Sequence, residues 1–212
     1  MNWFLDMCIL IFYSSGDKSK FSVKTLEFMS KHKEEKYLVC YYIVEENLPK
    51  WIKRQQIIVK EVIRKIKKDS YNIGESDEGS FLYPQDKQKA EKLFIKSSLT
   101  VDKTNFITEL QIIQKEQEFK LIRFIEQRVE KVIPIKDIDT ELKSKLFTYT
   151  NNISDSITIA SGIQQHNKEH LILLTSDKKD WRRENLELAV NENSKLAEKY
   201  KKIPEIKYIQ DI

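Results

Sequence analysis

Apolar residues along this chain follow two rhythms. Short, nearly unbroken apolar runs occur at 2–13 (NWFLDMCILIFY), 37–43 and 171–174, with a weaker one at 206–209 after Pro204. Such runs read as buried strands, the first passing into the start of a helix or loop. Between them, apolar positions recur every three or four residues. Phe21, Val23, Leu26, Phe28 and Met29 mark 21–32, and Trp51, Ile52, Ile58, Val59, Val62, Ile63 and Ile66 mark 44–68. Phe106, Leu110, Ile113, Leu121, Phe124, Ile125 and Val129 mark 104–131, which Pro134 stops. This spacing predicts amphipathic helices there, with further helices over 86–97, 139–149, 155–166 (N-capped by Ser154) and 183–201. Residues 69–86 (DSYNIGESDEGSFLYPQD) break both rhythms. With two of the four glycines and an acidic excess they predict a mobile loop. Strands alternating with helices predict an α/β fold: a parallel sheet with helices on both faces.

Composition narrows this reading. The 212 residues suffice for one large domain or a domain with a sizeable insertion, and four glycines with four prolines are too few for an all-β protein. A net charge of +4 is a weak argument for a polyanionic partner, so any such claim rests on local clusters. Cys8 and Cys40 lie in apolar segments and predict buried, reduced thiols in a reducing compartment. The first residues have no basic leader, and Asp6 interrupts an apolar stretch much shorter than the ~20 residues a bilayer requires. The expectation is a cytoplasmic protein without a membrane partner.

The chemistry lies in acids framed by apolar residues. Asp6 falls inside the first apolar run, and Asp177 closes the run at 171–174. Glu45 or Glu46 opens the helix after the second strand, and Asp155 opens the helix before the third. Ligands of parallel sheets collect beyond the carboxyl ends of the strands, so these four positions are predicted to converge. Carboxylates that close cannot all remain ionised near neutral pH without a cation. An all-oxygen set selects Mg²⁺ or Mn²⁺, which lowers the pKa of a water and stabilises charge developing on a phosphoryl group. Phasing at about 100° per residue from Val44, Leu48, Trp51 and Ile52 favours Glu45 over Glu46. Asp180 is an outer helper.

Four segments carry a resemblance to the PIN-domain nucleases. They are Phe4-Leu5-Asp6, Val44-Glu45-Glu46-Asn47-Leu48, Ser154-Asp155-Ser156-Ile157-Thr158-Ile159-Ala160 and Leu174-Thr175-Ser176-Asp177. The order of the four acids, with the terminal T-x-D, is similar to that family over roughly residues 1–54 and 151–212. The resemblance implies a three-layer α/β/α sandwich with a central parallel sheet. It also implies one or two Mg²⁺ or Mn²⁺ ions, and hydrolysis of phosphodiester bonds, usually in RNA, with Asp6, Glu45, Asp155 and Asp177 as catalytic and metal-holding residues. Some members of that family are toxins paired with an antitoxin. Here residues 69–150 are longer and more helical than a compact toxin needs, which predicts an added helical subdomain inside a single domain spanning 1–212.

Cations near the acids point to the same substrate. Lys178, Lys179, Arg182 and Arg183 bracket Trp181, and Lys53 and Arg54 belong to a basic helix side that begins near Glu45. Such cations hold backbone phosphates, and an exposed Trp181 would stack on a base. The apolar spacing of 104–131 serves the intramolecular core, a homodimer or a protein inhibitor of the antitoxin kind. Other chemistries find less. His166 and His170 stand four apart, but no cysteine, third histidine or acid completes a zinc site. No glycine-rich phosphate loop is present, and no serine or cysteine has a convincing base. The sequence therefore predicts a metal-dependent endoribonuclease, with a catalytically silent RNA- or protein-binding module of the same fold as the alternative.

Overall fold

The structure is a computed structural model that describes residues 1–212. The elements run β1 (Asn2–Leu5), α1 (Met7–Ser15), α2 (Lys20–Lys31), β2 (Lys36–Cys40), α3 (Leu48–Lys67), α4 (Pro84–Ser98) and α5 (Lys103–Arg128). They continue with β3 (Val129–Ile133), α6 (Thr140–Thr150), α7 (Ile153–Lys168), β4 (Ile172–Thr175), α8 (Arg183–Asn191), α9 (Ser194–Lys199) and β5 (Glu205–Tyr208). All five strands form one parallel sheet in the order β3-β2-β1-β4-β5. No helix is long and apolar enough to cross a membrane.

Two adjacent residues of β1 show how the sheet is covered. Successive side chains of a strand point to opposite faces. Trp3 meets Phe28 of α2 edge to face, with 4.7 Å between ring centroids. Phe4, on the other face, lies under α7. There Gly162 leaves so little room that a Cβ would stand 2.7 Å from Leu173 Cδ2 and 3.4 Å from Phe4 Cδ1. Helices therefore flank both faces, consistent with the three-layer α/β/α arrangement. β1 and β4 are buried from Trp3 to Leu5 and throughout Ile172–Thr175, as expected of central strands in a parallel sheet.

Several expectations change. The helix expected over 104–131 ends at Arg128, and Val129–Ile133 pairs with β2 as an edge strand. Val129, Val132 and Ile133 continue the helical spacing of Phe124 and Ile125, so periodicity alone could not separate the two. The strand expected over 37–43 closes at Cys40, and a π-helical turn, Ile43–Asn47, precedes α3. The N-cap of α7 is Asn152 rather than Ser154: its side chain accepts from the backbone N–H groups of Ser154 and Asp155.

The chain divides into two compact units, Met1–Asn47 with Leu121–Ile212, and Leu48–Lys120. The second unit, 48–120, overlaps the helical insertion expected over 69–150 without coinciding with it. Taken by itself, the second unit packs α3, α4 and the first part of α5 around Ile57, Ile58, Val62, Leu82, Ala90, Phe106 and Leu110. Its segment 69–83, expected to be a mobile loop, is anchored by hydrogen bonds to one side chain. Fully buried Glu61 accepts from Tyr71 Oη (2.8 Å), the Gly74 N–H (2.6 Å), Ser76 Oγ (2.7 Å) and the Arg64 guanidinium (2.5 Å). One carboxylate thus gathers a segment whose composition alone reads as disordered.

Candidate metal centre

The strand order has one consequence for ligand binding. From β1 the chain adds β2 and β3 on one side, then β4 and β5 on the other. The switch falls between β1 and β4, and ligands of such sheets bind beyond the carboxyl ends of the strands at that point. β1 and β4 end side by side: Leu5 pairs with Leu174, and the Asp6 N–H donates to the Leu174 carbonyl at 3.0 Å. The β1–α1 junction, Leu5-Asp6-Met7, has no glycine to cradle a phosphate.

Asp6 holds the N-cap position of α1, yet its side chain makes no capping bond. It turns to β4 instead, where Oδ2 accepts from Thr175 Oγ1 at 2.7 Å and from Cys8 Sγ at 2.9 Å. Asp155, in the first turn of α7, receives Asn152 Nδ2 on Oδ2 (2.6 Å) and Trp181 Nε1 on Oδ1 (3.1 Å). Asp177 follows β4 in a tight turn. Its Oδ1 accepts from the Lys179 N–H at 2.7 Å and the Asp180 N–H at 3.0 Å, which fixes Asp180 beside it.

Oxygens of Asp155, Asp177 and Asp180 lie within 4.8 Å of one another. Asp6 adjoins this group, and the electrostatics show it. Burial, with the like charges of Asp6, Asp177 and Asp180, lifts Asp155 to about 7 against the opposing hydrogen bond from Trp181. Burial also raises Asp6, aided by the charge of Asp177 and opposed by its hydrogen bonds to Cys8, Thr175 and the Met7 N–H. Burial and then the charge of Asp6 hold Cys8 well above the ordinary thiol range, so it serves as a neutral S–H donor.

No lysine or arginine forms an ion pair with any of these four carboxylates. Two basic residues close by in sequence are turned elsewhere: Lys178 pairs with Asp211 at 2.7 Å, and Arg183 with Glu187 at 2.7 Å. Mutually repelling carboxylates without a protein cation, all offering oxygen, could hold a divalent cation.

The predicted site residues fare unevenly. Asp6, Asp155 and Asp177 do come to one rim, and Asp180, expected only as an outer helper, is a full member of the converging group. Glu45 and Glu46 are exposed in the π-helical turn and stand outside that group. They lie in the π-helical turn rather than in one continuous α-helix with 48–67, so the phasing used to choose between them does not apply. The turn does approach the start of α7, where Asn47 Nδ2 donates to Ser154 Oγ at 2.6 Å. Trp181 corrects another expectation. It is completely buried and cannot stack on a base; its indole N–H orients Asp155 instead. Lys179, Arg182 and Arg183 are exposed, as is Lys53, while Arg54 is half-buried in the second unit. Sequence reasoning missed Thr175, Cys8 and Asn152 as partners of the acids. The hydroxyl at the end of an otherwise apolar strand was the available signal for Thr175.

No protein family, curated protein or solved structure matches this chain.

Proposed function

We propose that the chain is a PIN-like, metal-dependent endoribonuclease. The observation that carries this reading is the convergence of Asp155, Asp177 and Asp180, with Asp6 close enough to raise Asp155, at the switch point of a parallel sheet and with no ion pair to a lysine or arginine. Asp155, Asp177 and Asp180 would hold a Mg²⁺ or Mn²⁺ ion, which supplies an activated water and stabilises charge on the phosphoryl group. Asp6 adds negative charge from the side of β1. Thr175 and Cys8 orient its carboxylate, and Asn152 and Trp181 do the same for Asp155. Exposed Lys179 and Arg182, one on each side of the Asp180-Trp181 pair, are placed to hold the substrate backbone.

The test is cleavage of labelled single-stranded RNA in Mn²⁺. Asp177→Asn and Asp155→Asn should each lower the rate at least about a hundredfold while the circular dichroism spectrum is retained. Full activity in both variants would exclude the mechanism. A second reading, a silent module of this fold, is favoured by one observation: Glu45 and Glu46 stand outside the acidic group. RNA binding that is indifferent to metal, with no cleavage, would select it.

A further inference from the structure

We infer that the second unit carries a platform for single-stranded nucleic acid, built from Arg54, Phe81 and Tyr83. This rests on the nuclease reading for its choice of polyanion, and on separate residues for its geometry. The basic side of α3 is less available than its sequence suggests. Lys60 pairs with Glu78 at 2.9 Å, and Arg64 with Glu61 at 2.5 Å and Glu78 at 3.5 Å. Glu61 and Glu78 thereby take up Lys60 and Arg64. Arg54 has no acidic partner; its guanidinium lies over the Tyr83 ring, 4.7 Å from the centroid. Lys53, the residue before Arg54, is exposed.

The aromatic residues are presented rather than buried. Phe81 is 73% exposed and Tyr83 58%, while Leu82 between them is 5% exposed and plugged into the core of this unit. Leu82 also donates its N–H to the Gly79 carbonyl, and the Tyr83 N–H donates to Asp86 Oδ2 at 3.2 Å. A buried plug with a hydrogen-bonded backbone on each side fixes two outward rings in place. Two exposed aromatic residues two positions apart, one of them under a guanidinium, make a small apolar surface with a cation attached. A ring already carrying a stacked guanidinium matches the two needs of a single strand: a face for a base, and a cation for a phosphate.

The experiment uses the full chain in EDTA, with fluorescence anisotropy of a labelled oligouridylate of about fifteen nucleotides. Tyr83→Ala and Phe81→Ala should each weaken binding about tenfold, and Tyr83→Phe should retain it. Arg54→Gln should flatten the dependence of log K on log salt by roughly 0.7. Unchanged affinity in Tyr83→Ala overturns the proposal, and so does a loss shared equally by Tyr83→Phe. Displacement by polyglutamate as effective as by an equal charge of oligouridylate also overturns it, assigning the surface to an acidic protein. Without metal no cleavage takes part. A failed platform therefore leaves the acidic centre standing, and a failed cleavage assay leaves the platform standing.

Discussion

At the scale of single residues, Asp155 is the most informative group in the molecule. Its carboxyl titrates near 7 because burial and three neighbouring acids oppose its charge. An acid whose pKa is higher folded than unfolded keeps a proton that the unfolded chain gives up. Folding stability therefore falls as pH rises from about 4 to about 7, and levels off above that window. Removing the charge should remove this loss. Melting curves in EDTA should show Asp155→Asn gaining on the native chain as pH climbs through that window. The gain should total roughly 1–3 kcal/mol, the full shift being discounted for solvent screening of a half-buried group. The amide gives up the hydrogen bond from Asn152 Nδ2, so the variant starts out no more stable than the native chain at pH 4. The slope, rather than the offset, is the readout. A stability difference that stays flat with pH would mean that the acids do not confront one another as described.

At the scale of elements, Glu61 does for α3 and the segment after it what the sheet does for the first unit. Burial alone would raise its pKa, yet the bonds from Ser76, Gly74, Tyr71 and Arg64 outweigh this and hold it below the ordinary glutamate value. Its stabilising effect is therefore present above about pH 4.5 and is lost as pH falls through the lower, folded pKa. Glu61→Gln replaces an acceptor surrounded by donors with a group that is half donor. A cost of about 2–4 kcal/mol is expected, together with faster tryptic cleavage after Lys67 and Lys68. Cleavage as slow as in the native chain would show that the segment is held by something else. The same carboxylate shows where sequence reading runs out. The 3.6-residue rhythm located the helices and the apolar runs located β1, β2, β4 and β5, because burial of one face is written into spacing. Residues 69–83 read as loose because composition does not reveal that a lone acid on a basic helix is buried. Edge strand β3 was hidden because it is half-exposed and continues a helical phase. Asp6, Asp155 and Asp177 were legible as acids in apolar frames. The place of Glu45 was not, since a π-helical turn shifts every following position out of register with an ideal helix.

At the scale of the whole molecule, the acids bring together parts of the chain that only the topology makes neighbours. Asp6 leaves β1, Asp155 begins α7, and Asp177 and Asp180 follow β4; all belong to the compact unit formed by Met1–Asn47 and Leu121–Ile212. A divalent ion bound there would tie these three segments to one another, and a ligand that binds only the folded state stabilises it by mass action. At a hundred times its Kd the gain is about 2.7 kcal/mol, enough to move a melting curve by several degrees. The gain should not be spread evenly. Amides near the site exchange through local openings that separate the acids, and those openings must expel the ion, whereas openings inside Leu48–Lys120 need not. Hydrogen exchange at pH 8 with and without Mn²⁺ should therefore show new protection first around residues 5–10, 152–158 and 175–182. Residues 48–120 should change least, and the pattern should disappear in Asp177→Asn. An unaltered melting temperature in Mn²⁺ would remove the ion from the account. Protection centred on 48–120 would place it on a different set of ligands, since the only carboxylates that repel one another at the switch point lie in the other unit.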